Sequence, residues 1–193
     1  MKQDEFLSEL EASKAILHGH FILSSGRRSA TYLQCARLLM YPARAERCAR
    51  AIAKLAQDRL GTVDAVVAPA MGGIIIGYEV ARALGVPSIF CERVEGTFQI
   101  RRGFEIPMGA KVLIVEDVVT TGKSSREAIE CVEKFGGEVI GEACLIDRSG
   151  GNPGLPVPLL SIMEIDIPTY SPDDLPPELA DIPAVKPGSR GLA

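Results

Sequence analysis

The residues of this chain best suited to chemistry are two adjacent acids and the small polar turn that follows them. Glu116 and Asp117 come first, then Val118 and Val119, then Thr120, Thr121, Gly122, Lys123 and Ser124. Residues 112–115, just before the acids, are an unbroken apolar run of the kind found in strands buried on both faces. After the turn, Ala128, Ile129 and Val132 share one helical face, and Gly136-Gly137 closes the helix. This order puts the acids at the carboxyl end of a buried parallel strand, where open α/β sheets bind ligands. A helix N-terminus with free N–H groups and small hydroxyl side chains suits a phosphate. The acid pair beside it suits sugar hydroxyls or a hydrated cation. Together they fit a ligand with a phosphate at one end and a diol in its middle.

Other nucleotide motifs fit less well. A P-loop needs glycine five residues before Gly122, where Asp117 stands, and the G-x-G-x-x-G fingerprint is absent. An ordinary βα turn with solvated acids is the remaining alternative, and few such turns combine all these features.

The thirteen residues 112–124, VLIVEDVVTTGKS, resemble the phosphoribosyl pyrophosphate (PRPP) signature of type I phosphoribosyltransferases. The resemblance implies that Glu116 and Asp117 hold the ribose hydroxyls and that Val118 to Ser124, chiefly Thr120, Thr121, Gly122, Lys123 and Ser124, wrap the 5′-phosphate. Further segments are similar to the orotate branch of that family. SGRRSATYLQ, residues 25–34, looks like its N-terminal S-G-R-x-S segment, which implies base-side roles for Ser25, Gly26 and Arg27. Read without the resemblance, these residues are a solvated hairpin tip. Many family members carry lysine just before this segment, where this chain has Ser24. The turn Met71-Gly72-Gly73 resembles the pyrophosphate loop; read alone, its glycines only relieve crowding. Residues 145–148, LIDR, resemble the segment whose arginine meets the carboxylate of the base, implying orotate contacts for Arg148 and, by analogy, Thr120. The plainer reading is an Asp147–Arg148 surface ion pair, worth little.

Between Cys91 and Ala110 the chain reads either as a plain hairpin or as a lid over the reacting centre. The resemblance implies that basic residues here reach the pyrophosphate. The stretch has no lysine or histidine, so Arg93, Arg101 and Arg102 are the candidates, able to clamp phosphate oxygens but not readily to donate a proton. The activity implied is transfer of ribose 5-phosphate from PRPP to orotate, with Mg²⁺ held mainly through PRPP and with two subunits sharing their sites. A purine or xanthine phosphoribosyltransferase, or a non-catalytic PRPP-sensing regulator, are the alternatives.

The rest of the chain must position these groups. Its 193 residues suffice for one domain. A net charge of −4 and the lack of a basic stripe argue against nucleic-acid binding. The N-terminal MKQDEFLSEL is unlike a signal peptide, and no apolar run approaches the about 20 residues of a membrane span. Five scattered cysteines without C-x-x-C pairs point to reduced thiols in the cytoplasm, and two histidines make a His-based metal site unexpected. Residues 2–18 read as an amphipathic helix, residues 42–60 as a helix opened by Pro42, and residues 63–68 as a buried strand. Alternation of strands and helices through residues 63–146 predicts an α/β fold: a central parallel sheet flanked by helices. A small hood is expected from residues 1–41 and 155–193, including a last strand over 159–165, around a core of residues 42–154. The proline-punctuated tail carries no predicted function.

Overall fold

The computed structural model describes residues 1–23 and 25–187. Ser24 and the last residues of the tail therefore lie outside the description. The elements run α1 (Gln3–Ala12), β1 (Ile16–Ile22), β2 (Arg28–Leu33), α2 (Ala36–Leu39), α3 (Pro42–Leu60), β3 (Ala65–Pro69), α4 (Gly72–Leu84) and β4 (Ser88–Val94). Then follow β5 (Thr97–Ile100), β6 (Lys111–Val119), α5 (Lys123–Lys134), β7 (Glu138–Asp147), β8 (Leu159–Glu164) and α6 (Pro177–Ala180).

Six strands form one sheet in the order β5-β4-β3-β6-β7-β8. All neighbours are parallel except β5, which returns antiparallel along β4. Period-two alternation sends the apolar run of β6 to both faces. Leu113 and Val115 join one cluster with α1, α2, α3 and α4, while Val112 and Ile114 join another with α5. The crossover through α4 leads away from β3 on one side, and the crossover through α5 leads away from β6 on the other. The crevice between the carboxyl ends of β3 and β6 is therefore the point where strand order reverses, the expected ligand site of such a sheet.

α3 begins with Pro42 at its first turn, buries Ala45, Cys48, Ala49, Ile52, Ala53 and Ala56 on one stripe, and ends at Gly61, whose φ is +81°. The first helix is shorter than expected. It stops at Ala12, Lys14 adopts φ +53°, and the chain turns into β1, so Leu17 lies on a strand. α1 keeps Phe6 and Leu10 as its buried anchors.

β1 and β2 form a separate antiparallel hairpin, the small hood. The last strand does not join it. β8 pairs parallel with β7, from Glu142↔Leu159 to Asp147↔Glu164, and so extends the central sheet. This pairing satisfies the backbone groups that β7 would otherwise leave open along its edge. The hood is completed instead by the segments beyond β8. Arg28 and Tyr170 exchange two backbone hydrogen bonds of 2.9 and 2.8 Å, and Val185 bridges to His20 and Ile22 at 2.8 Å each. His20 adds a 2.8 Å contact from Nδ1 to the carbonyl of Ile182.

Candidate active site

β6 continues through both acids to Val119, so Glu116 and Asp117 are strand residues, and both carboxylates come against the start of α4. The amide of Val118 donates to Asp117 Oδ1 at 2.9 Å. Burial, then the charges of Asp117 and Glu142, push the Glu116 carboxyl well above its ordinary range. Burial likewise raises Asp117, against the lowering effect of the Val118 N–H. A crowded, proton-retaining pair of this kind is relieved by hydroxyl donors or a cation.

Two helix N-termini flank the pair. α5 begins at Gly122, whose φ of +66° turns the chain sharply into the helix; no side chain caps it, and its first turn holds no acid. α4 begins at Met71-Gly72 and is equally uncapped and free of acids in its first turn. Both therefore present unmatched backbone N–H groups and the positive end of a helix dipole. The glycines of α4 are dictated by the acids. A Cβ on Gly73 would lie 2.7 Å from the carbonyl of Val115 and 3.2 Å from Glu116 Oε2, and one on Gly72 would press into Asp117. The crowding that glycine relieves here is therefore against the acid pair and its strand. The peptide between Ala70 and Met71 is cis.

On the opposite side of β6, Arg148 follows β7, and its amide donates to the carbonyl of Val119 at 2.8 Å. Its Nε is buried without a partner. Burial lowers its affinity for the proton, and Asp166 opposes this. Asp147 turns back to accept the Ser149 amide at 2.7 Å, so no Asp147–Arg148 ion pair is formed. Arg27, at the tip of the hood hairpin beside Ser25 and Gly26, donates from Nε to Thr169 Oγ1 at 2.8 Å and from Nη2 to the Thr169 carbonyl at 2.5 Å. The segment after β8 links the two arginines. Ile165 donates to the carbonyl of Asp147 at 2.9 Å, and Asp166 and Thr169 are only three residues apart, a span of at most about 11 Å. Asp166 and Thr169 were not anticipated. Their only signal in the sequence is polar residues between the apolar end of β8 and Pro168, too common a pattern to single out.

The stretch expected to be a hairpin or lid is an ordered hairpin, β4 and β5, turning at Glu95-Gly96. Arg93 pairs with Glu127 on α5, donates to the carbonyl of Gly96 at 2.8 Å, and lies over the Phe98 ring at 4.2 Å. Arg101 and Arg102 stand over the carboxylate of Glu92 at 4.0 and 3.0 Å, each more than half exposed. A separate groove of about 660 Å³ lies between β5 and α5, lined by Phe98, Ile100, Cys131 and Phe135. None of the expected site residues lines it. Among the described residues no cluster of three or more His, Cys, Asp or Glu side chains could hold a metal ion, and no helix is long and apolar enough to cross a membrane.

The chain is similar to known proteins over its whole length. The phosphoribosyl transferase domain family matches residues 35–153. The orotate phosphoribosyltransferase of Novosphingobium aromaticivorans is 60% identical over 191 residues, covering 98% of each chain. That of Sphingopyxis alaskensis is 58% identical over 195 residues, covering 100% of each. The crystal structure of orotate phosphoribosyltransferase from Aeropyrum pernix superposes with a TM-score of 0.72 at 30% identity, covering 82% of this chain and 92% of that one. Full-length identity at this level, together with the crevice between β3 and β6, places the chain in the orotate phosphoribosyltransferase family of type I phosphoribosyltransferases.

Proposed function

We propose that this chain catalyses the orotate phosphoribosyltransferase step of pyrimidine biosynthesis at the crevice between β3 and β6. A ring nitrogen of orotate bonds to C1 of the ribose, the C1–oxygen bond to pyrophosphate breaks, and orotidine 5′-phosphate and pyrophosphate leave. The observation that carries the reading is the pair of uncapped helix N-termini on either side of Glu116 and Asp117. One seat, from Thr120 to Ser124, takes the 5′-phosphate; the other, Met71 to Gly73, takes the pyrophosphate; the acids between them take the ribose hydroxyls. No protein nucleophile is needed. The chain positions two substrates, excludes water and stabilises charge. As positive charge grows on the sugar, Glu116 and Asp117 are placed to accept it.

Mg²⁺ fits the same place. Burial raises both carboxyls, with the charge of Asp117 adding to the rise at Glu116, and a dication beside them would favour their charged forms. When bound, it neutralises pyrophosphate and ribose oxygens, mostly through the substrate itself. Arg148, Thr120 and the Ser25-Gly26-Arg27 tip serve the base, whose carboxylate suits a planar guanidinium. Arg101 and Arg102 are free to swing from Glu92 onto the pyrophosphate, while Arg93 holds the hairpin against α5. Two copies pair through the outer face of α4, where Met71, Ile75 and Tyr78 are 84%, 47% and 59% exposed on one stripe beside the pyrophosphate seat.

The test is orotate consumption, followed by ultraviolet absorbance with PRPP and Mg²⁺, beside uracil and hypoxanthine. Turnover of orotate alone is expected. Turnover of hypoxanthine instead would overturn the base assignment, and PRPP binding without turnover would point to a regulator.

A further inference from the structure

Arg126 lies on the first turn of α5, just beyond the phosphate seat, and none of the roles above uses it. Its Nη1 donates to the carbonyl of Thr121 at 3.1 Å, inside that seat, and to the carbonyl of Pro153 at 2.7 Å, with the carbonyl of Gly154 at 3.4 Å. Pro153 and Gly154 belong to the loop that leaves Arg148. The loop is pressed against the turn at this same point: a Cβ on Gly122 would lie 2.3 Å from the Pro153 carbonyl and 3.0 Å from Arg126 Nη1. At the near end, the Arg148 amide is already tied to the carbonyl of Val119. The turn and the loop are therefore joined at both ends, by backbone at Val119–Arg148 and by one guanidinium at Thr121–Arg126–Pro153.

We propose that Arg126 is a positioning residue that fixes the distance between the phosphate seat and the base-side loop. A guanidinium suits this task. It stays charged, and its Nη1 reaches carbonyls from two separate segments at once. The consequence is specific. A ligand that fills only the phosphate seat does not sense the spacing. A ligand that spans phosphate seat and base site gains from both only if they are held at the right separation, as with any two linked binding groups. Orotidine 5′-phosphate is such a spanning ligand, and ribose 5-phosphate is its one-ended counterpart.

The proposal rests on the reading of residues 120–124 as the phosphate seat. The experiment compares calorimetric Kd values of both ligands for the parent, Arg126→Ala and Arg126→Lys, with Ser124→Ala as the control on the seat. Arg126→Ala is expected to weaken orotidine 5′-phosphate by about tenfold while changing ribose 5-phosphate by less than about twofold. Arg126→Lys, which keeps the charge on a shorter side chain of different shape, should lie between parent and alanine. If the alanine variant does not fold, the lysine variant decides, and parent-like affinity for orotidine 5′-phosphate overturns the proposal. Equal losses for both ligands also overturn it, because Arg126 then only shapes the phosphate turn. If Ser124→Ala leaves ribose 5-phosphate binding unchanged in an otherwise parental chain, the seat itself is misassigned and the proposal falls with it.

Discussion

Gly72 and Asp117 are packed so closely that a Cβ on the glycine would lie 2.8 Å from Oδ1 of the aspartate and 3.0 Å from its Cγ and Oδ2. The contact joins the start of α4 to the acid pair of β6. A methyl group there displaces a side-chain carboxylate, which can rotate away. Gly72→Ala should therefore fold normally but lose about tenfold or more in kcat/KM for PRPP, the range expected when a positioning group moves by about an ångström. Gly73→Ala meets the Val115 carbonyl at 2.7 Å, a backbone atom that cannot rotate away. It should lower Tm by several degrees as well as activity. Kinetics and thermal melts on the two variants separate the cases; identical behaviour would contradict the packing.

Asp117→Asn keeps the shape of the side chain and removes its charge. Loss of at least about tenfold in kcat/KM for PRPP is expected, since an amide accepts ribose hydroxyls less well and cannot offset positive charge on the sugar. Because burial raises Asp117 above its ordinary range, the variant should be no less stable than the parent near neutral pH. Unchanged kcat/KM for PRPP would remove the aspartate from the site.

Arg148→Ala should raise KM for orotate more than KM for PRPP. Its Nε is buried without a partner, so the guanidinium has hydrogen-bonding capacity left for a carboxylate. Equal rises in both KM values would argue against a base-contacting arginine.

Glu142 is fully buried, its Oε1 accepts from Ser125 Oγ at 2.7 Å, and its Oε2 has no partner. Burial raises its carboxyl from 4.5 to about 7. Between those values the folded chain keeps a proton that the unfolded chain has lost. The stabilising protonated form is fully present below the lower value and is lost as pH rises through the upper one. Glu142→Gln cannot ionise, so its Tm relative to the parent should climb from pH 5 to pH 8 by several degrees. The charge of Glu142 also raises Glu116, so the substitution eases Glu116 as well, and both effects favour the variant as pH rises. A pH-independent difference would mean that Glu142 does not titrate in this window.

Tyr78→Glu places a charge on the exposed stripe of α4. It should shift the chain from dimer to monomer in light scattering, with activity falling in parallel if the two copies share sites. A parent that is already monomeric would dismiss this face as an interface.

The order of strand, acid pair, turn and helix beginning at residues 112–124 was legible in the sequence, and with it the family, although the strand runs on through the acids to Val119. These features are local: a period of two, a period near 3.6, and turn residues at fixed offsets are set by chain neighbours. The helix over Pro42–Leu60 and the helix ending at Leu84 were legible for the same reason. Tertiary structure decided what no local pattern carries. Only the placement of β3 beside β6 shows that Gly72 and Gly73 face the acids. Only the packing of α5 on the β4–β5 hairpin commits Arg93 to Glu127. Leu159–Glu164 joined the sheet because the edge of β7 offered open backbone groups, which an isolated apolar run cannot reveal. The tail, silent as sequence, supplies Asp166 to Arg148 and Thr169 to Arg27 because it folds back across the hood. Each of these contacts joins residues distant in the chain, and their proximity is set by strand order and layer packing rather than by neighbouring residues.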